Sequence, residues 1–215
     1  MSARRRFRTA ILPLVKAERL DLVGFLADLH DEDWAMPSLC PGWTVHDVLA
    51  HLTMSSRQTT LATLVRVARA RGDLDRAFAG WARERAAEFT PAELTEQLRA
   101  TAGSTHRLAI SAPEDPLIDI LVHGQDIARP LGRERAMSPD HVVPALGLAW
   151  RSPLYGARKR FAGLRLVATD ADWSAGEGAR EVHGLAGDLL LLATGRATDR
   201  VTGPGADEVA ARMRA

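Results

Sequence analysis

The sequence predicts a mainly α protein, a four-helix bundle followed by a small C-terminal α/β domain. Three observations lead there. Apolar residues recur at three- and four-residue steps through most of the first 132 positions. Helix-start signals such as Thr44 followed by Asp47, and Thr90-Pro91 followed by Glu93, punctuate that stretch. Beyond residue 161 the pattern turns to alternation and glycine-rich turns, so the expected division is 1–160 for the bundle and 161–215 for the α/β part.

Residues 10–29 carry Leu14, Ala17, Leu22, Phe25, Leu26 and Leu29 at helical spacing, and Pro13 restricts the start to the first turn. A loop over 30–42 holds Trp34, Pro37, Cys40 and Pro41-Gly42, with Trp34 and Trp43 expected to staple it to the bundle. The second helix is expected from Thr44 to Ala70, its apolar side made of Val45, Val48, Leu49, Leu52, Leu61, Leu64 and Val65. His51 lies beside that face and points inward. His46, about 140° away around the helix, is expected at the surface or against a loop.

Residues 74–88 read as a short helix or a crossover, with Trp81 and Arg85 one turn apart. A helix from Thr90 to Ile110 turns Leu94, Leu98, Thr105 and Leu108 inward, and His106 and Arg107 read as structural. After the Pro113–Pro116 turn, a helix over 117–129 stops before Pro130 and Gly132. One or two helices follow over 138–160. Leu164–Asp170 then alternates like a strand, a hairpin turn is expected near Asp172-Trp173, and Arg180–Gly184 is its return strand. A short apolar helix over 186–193, a strand or turn at 201–204 and a last helix over 206–212 complete the chain.

Composition narrows the function. At 215 residues the chain can bury a sizeable core, and 46% hydrophobic with 26% charged residues is ordinary for a soluble domain. A formal charge of +1 gives no reason to expect nucleic acid, and the run Arg4-Arg5-Arg6-Phe7-Arg8 reads as a solvated terminus. Lys16, Glu18, Arg19 and Asp21 interrupt any signal-peptide core, and the apolar run 189–193 is too short for a membrane span. The single cysteine, Cys40, excludes an internal disulfide and fits a reducing cytoplasm. It reads as a small loop filler, although a loop before a helix also suits a reactive thiol. The absence of asparagine and the preference for arginine over lysine fit a GC-rich genome.

The chemistry concentrates in Asp119-Ile120-Leu121-Val122-His123-Gly124-Gln125-Asp126. On a helix, Asp119, His123 and Asp126 share one side, because residues three and four apart stack. A carboxylate and an imidazole one turn apart can grip a divalent ion if a third ligand arrives from another element, and His51 is the candidate. The result is a metal site of His51, Asp119 and His123 with one open position. A buried Asp–His hydrogen bond without an ion is the alternative. Asp126 either accepts the far proton of a ligating histidine, pairs with Arg129, or caps a neighbouring helix. Cys40 is not expected on the metal, since His51 lies roughly 12 Å along the helix from Trp43.

The segment Pro41-Gly42-Trp43-Thr44-Val45-His46-Asp47-Val48-Leu49-Ala50-His51-Leu52 resembles the first metal-binding helix of the mycothiol-dependent maleylpyruvate isomerase family. That family belongs to the DinB-like (DNA-damage-inducible) metal-binding helical bundles. Residues 119–132, ending Ile127-Ala128-Arg129-Pro130-Leu131-Gly132, resemble its second metal-binding helix. The resemblance covers residues 10–132 well and the rest thinly, where it suggests a sterol-carrier-like domain. It implies zinc on His51, Asp119 and His123, with mycothiol's sulfur approaching the open position. The isomerase itself has glutamate where this chain has Asp119.

If the resemblance holds, the thiolate adds to the double bond of a cis-enedione-type acid, the new single bond rotates, and expulsion of the thiolate leaves the trans product. One attack without expulsion would make a thiol transferase instead. The expected partners are therefore a small-molecule thiol and a small electrophilic substrate such as maleylpyruvate, with neither nucleic acid nor membrane involved. Substrate carboxylates would want an arginine, with Arg85, Arg57 and Arg196 as candidates. The rival reading is a non-catalytic metal-binding or regulatory bundle.

Overall fold

The structure is a computed structural model that describes residues 5, 7–108 and 111–214. It is mainly helical with one small sheet, in agreement with the expected fold class. Arg4, Arg6 and Ile110, which entered the sequence expectations, lie outside the described residues. The chain divides into two compact units, Met1–Arg135 and Ala136–Ala215.

The first unit is the helical one. A π-helical turn, Phe7–Ile11, leads into α1 (Leu12–Ala27), and Pro13 stands in its first turn where no amide is needed. Val15, Leu22, Val23 and Leu26 are buried from this helix. After a 3-10 turn at Asp31–Ala35 comes α2 (Val45–Met54). Its capping box is complete: Asp47 N–H donates to Thr44 Oγ1 at 3.1 Å and Thr44 N–H to Asp47 Oδ2 at 2.9 Å. α3 (Thr60–Arg69) and α4 (Leu74–Glu88) follow, then α5 (Pro91–Ala100), opened by a second capping box of Thr90 and Glu93. α6 (Asp115–Ala128) is buried along most of its length, with Leu117, Ile118, Ile120, Leu121, Val122 and Ile127 inside. α1 and α2 each pack on α5 and α6, and α4 lies along α2. Each fully buried leucine or isoleucine here contributes roughly 1.5–3 kcal/mol.

Two helices are shorter than their apolar pattern suggests. The helix expected to run from Thr44 to Ala70 breaks after Met54, and Thr59 caps a new one. Ser55 and Ser56 donate their hydroxyls to the Leu52 and Thr53 carbonyls, offering the backbone another way to turn. Leu61, Leu64 and Val65 are consequently exposed, not inward. The helix expected to reach Ile110 ends at Ala100, because buried Arg19 donates to the carbonyls of Thr101 (3.2 Å) and Ala102 (3.3 Å) and caps it. Residues 74–88, by contrast, form a full helix with Asp73 accepting from Arg76 N–H.

Gly124 lies in the middle of α6 for a steric reason. A Cβ there would come within 2.8 Å of Arg135 Nη1. Arg135 is buried over that spot, paired with Glu18 at 2.5 Å and Asp21 at 2.8 Å, and so ties α6 to α1.

The second unit begins with α7 (Pro139–Arg151) and the single turn α8 (Ala157–Arg160). It continues through β1 (Leu164–Ala168), β2 (Ser174–Ala175), β3 (Arg180–Gly184), α9 (Ala186–Ala193), β4 (Val201–Thr202) and α10 (Ala206–Arg214). The division falls at Arg135–Ala136 and not at 160/161, because α7 packs against α9 and so joins the α/β part. The expected hairpin is also revised. β1 pairs antiparallel with β2, while β3 runs parallel to β1, giving the order β2-β1-β3-β4. Among the described residues no helix is long and apolar enough to cross a membrane.

Candidate metal centre

α2 and α6 bring His51, Asp119 and His123 together. His51 Nε2 lies 3.2 Å from Asp119 Oδ1, and His123 Nε2 lies 3.6 Å from the same oxygen. The imidazole centroids are 4.8 Å apart, and one ligand atom from each of the three residues falls within 4.8 Å of the others. Tetrahedral zinc with bonds of about 2.0–2.1 Å holds its ligand atoms roughly 3.3–3.4 Å apart, and the two histidine-to-carboxylate separations of 3.2 and 3.6 Å bracket that value. The three side chains keep 16%, 24% and 15% of their surface, which leaves an approach from solvent.

Each imidazole is held differently. His123 donates from Nδ1 to Asp126 Oδ2 at 2.8 Å, and the Asp126 side chain is fully buried. This is the carboxylate–histidine arrangement that fixes a ligating ring and presents its other nitrogen. His51 is positioned by rings, edge-on to Trp43 at 5.4 Å and to Phe78 at 5.8 Å. Its Nδ1 is buried with no hydrogen-bond partner among the described residues, so the ring is oriented by its Nε2 contact to Asp119 and by aromatic packing.

The charges are arranged around the carboxylates. Burial disfavours a charged His123, but the Asp126 and Cys40 hydrogen bonds and the Asp119 and Asp126 charges push its pKa up to about 10. Burial alone would raise Asp119. The His51 hydrogen bond and the charges of His51, His123 and Arg19 instead hold it below the ordinary carboxylate range. Arg19 is itself lowered by burial, with Asp119 opposing.

Two residues of the loop before α2 belong to this site, contrary to expectation. Trp43 does more than staple the loop: its ring stacks on His123 at 6.5 Å, with 7° between the planes. Cys40 is no passive filler. Its Sγ donates to Asp126 Oδ2 at 3.2 Å and lies 3.7 Å from His123 Nδ1. The helical rise that separates Cys40 from His51 says nothing about its distance to α6, which is where it docks. Cys40, His123 and Asp126 thus form a second convergent set on the opposite edge of the same ring.

The remaining candidates are placed elsewhere. Asp126 takes the supporting position behind His123. Arg85 donates to Thr53 Oγ1 at 2.7 Å and to Gln97, with its guanidinium over Phe89, so it joins α4 to α2 and α5. Arg57 is exposed in the turn after α2. Arg196 belongs to the second unit, where it donates to the Thr194 carbonyl at 3.0 Å. His46 bonds the Phe89 carbonyl at 3.0 Å, and Trp81 lies under Arg66.

Fold and site together define a helical-bundle protein with a candidate two-histidine, one-carboxylate metal centre. The family model of the mycothiol maleylpyruvate isomerase N-terminal domain matches residues 15–119. A crystal structure of the mycothiol-dependent maleylpyruvate isomerase matches with a TM-score of 0.63 at 15% identity, covering 94% of this chain and 95% of the other. A histidine-to-alanine mutant of that isomerase matches at a TM-score of 0.53 with the same identity and coverage. Uncharacterized proteins from two strains of Mycobacterium tuberculosis are each 26% identical, over 85% of this chain and 83% of theirs.

Proposed function

We propose that the chain is a mycothiol-dependent isomerase or thiol transferase with a divalent metal, zinc foremost, acting on a small electrophilic acid such as maleylpyruvate. The observation that carries this reading is the convergence of His51, Asp119 and His123, partly open to solvent, with His123 locked from behind by buried Asp126.

A divalent ion held by these three residues supplies Lewis acidity that lowers the pKa of a thiol near neutral pH. The thiol supplies reversible addition to a conjugated double bond, which is what cis–trans isomerisation needs. The protein's own part is positional. Asp126 holds the Nδ1 proton of His123, so Nε2 is the nitrogen that would shed its proton to a metal. Trp43 covers a face of that ring and packs edge-on to His51, shielding one side of the centre from water. Arg19 adds a buried positive charge that reinforces the larger effect of His51 and His123 in keeping Asp119 ionised. Arg85 and Arg196 stand as the candidates for a substrate carboxylate.

The non-catalytic rival gains some support from the direct His51–Asp119 bond at 3.2 Å, which needs no ion. His123 is likewise held without an ion by Asp126 at 2.8 Å, and its Nε2, 3.6 Å from Asp119 Oδ1, is beyond hydrogen-bond reach but within that of an ion pair. An assay of cis–trans isomerisation of maleylpyruvate, with and without mycothiol and with and without a chelator, tests the reading. Turnover requiring both thiol and metal supports it. Metal binding with no thiol-dependent reaction on this or other electrophilic acids would favour the rival.

A further inference from the structure

We propose that Cys40 is a positioning residue of the metal centre. Its thiol donates to Asp126 and closes solvent off from that carboxylate, keeping the His123 ring turned with Nε2 toward His51 and Asp119. The inference rests on reading those three residues as metal ligands.

Four observations converge on it. Asp126 Oδ2 receives both the Cys40 thiol, at 3.2 Å, and the His123 Nδ1 proton, at 2.8 Å. Cys40 is partly exposed while the Asp126 side chain is completely buried, so the sulfur sits between water and the carboxylate. The loop that carries Cys40 is itself fixed to α6, because Leu39 N–H donates to the Asp126 carbonyl at 3.1 Å. The same loop sets Trp43 against the face of His123, so loop and helix grip the ring from its edge and its face at once. A carboxylate behind a ligating histidine typically affects metal affinity about 10–100-fold, and a group that holds that carboxylate acts through the same ring.

The sulfur can be removed without dismantling the loop. Ser38 N–H to the Trp43 carbonyl (2.9 Å), Val45 N–H to the Met36 carbonyl (3.0 Å) and the Leu39–Asp126 bond are all made by backbone. The test compares the full-length protein with Cys40→Ala and Cys40→Ser. Zinc affinity is read by chelator competition, and the exchange rate of the His123 Nδ1 proton by NMR on the metal-free proteins. Cys40→Ala is expected to weaken zinc about tenfold and to speed that exchange by a similar factor, while Cys40→Ser, which keeps a donor, stays within about threefold on both. Equal affinity and exchange in wild type and Cys40→Ala would overturn the proposal. So would a sulfur-to-metal charge-transfer band in the cobalt protein without added thiol that Cys40→Ser abolishes, since Cys40 would then be a ligand. If the wild type takes up no metal at all, the metal reading falls, and the exchange rates still decide the role of Cys40.

Discussion

The Nδ1 edge of His123 lies 2.8 Å from an oxygen of Asp126 whose side chain no solvent reaches, while the opposite edge of the ring faces Asp119. One imidazole thus joins a buried anchor to a solvent-facing carboxylate. Replacing Asp126 with asparagine keeps the shape but removes the charge that fixes the ring. Metal affinity in Asp126→Asn is expected to fall about 10–100-fold, measured by competition with a chelator. Unchanged affinity would mean the ring needs no anchor.

Protons and metal compete for His123. Its folded pKa, near 10, lies above the 6.5 of the free side chain, so in the metal-free protein this group stabilises the fold fully below pH 6.5. That contribution is lost as pH rises through 10. Metal binding runs the other way, since a ligating imidazole must shed a proton. Zinc uptake at pH 7 should therefore release a proton into a weakly buffered solution, and affinity should climb by roughly tenfold per pH unit below that pKa. A pH-independent affinity would remove His123 from the ligand set.

The ligand set also makes a prediction residue by residue. His123→Ala and His51→Ala should each abolish stoichiometric zinc, whereas His46→Ala, which loses only a bond to the Phe89 carbonyl, should keep it. Asp119→Glu should retain zinc, because the longer carboxylate offers the metal the same kind of oxygen ligand. Metal analysis of the untagged variants checks all four.

The two arginines should separate by what they change. Arg85 holds Thr53, Gln97 and the Phe89 ring, so Arg85→Ala is expected to lower the melting temperature. Arg196→Ala, if that side chain binds a substrate carboxylate, should raise KM while leaving zinc content intact. A melting loss in Arg85→Ala with KM unchanged would remove it as a substrate ligand, and an unchanged KM in Arg196→Ala would do the same there.

Much of this architecture is legible in the sequence. The threonine–acid pairs at 44/47 and 90/93 mark helix starts that the structure keeps, because a capping box is local chemistry. Asp119, His123 and Asp126 share a face for an equally local reason, the helical repeat. What spacing could not supply was competition and distance. Ser55 and Ser56 break a helix whose apolar pattern runs on, and Arg19 ends another from 82 residues away. The bond between Cys40 and Asp126 spans 86 residues, and no periodicity links them. The strands β1 and β3 alternate in either orientation, so a parallel pair reads as a hairpin until the register is seen.

The central claim is an open metal position at His51, Asp119 and His123 that an external thiol can take. Cobalt in place of zinc makes this visible, since thiolate ligation produces a sulfur-to-metal charge-transfer band. The cobalt protein alone should show no such band, and titration with mycothiol should produce one that saturates at one thiol per metal. No band at any mycothiol concentration, with cobalt bound, would contradict the account and leave a site that holds metal without using a thiol.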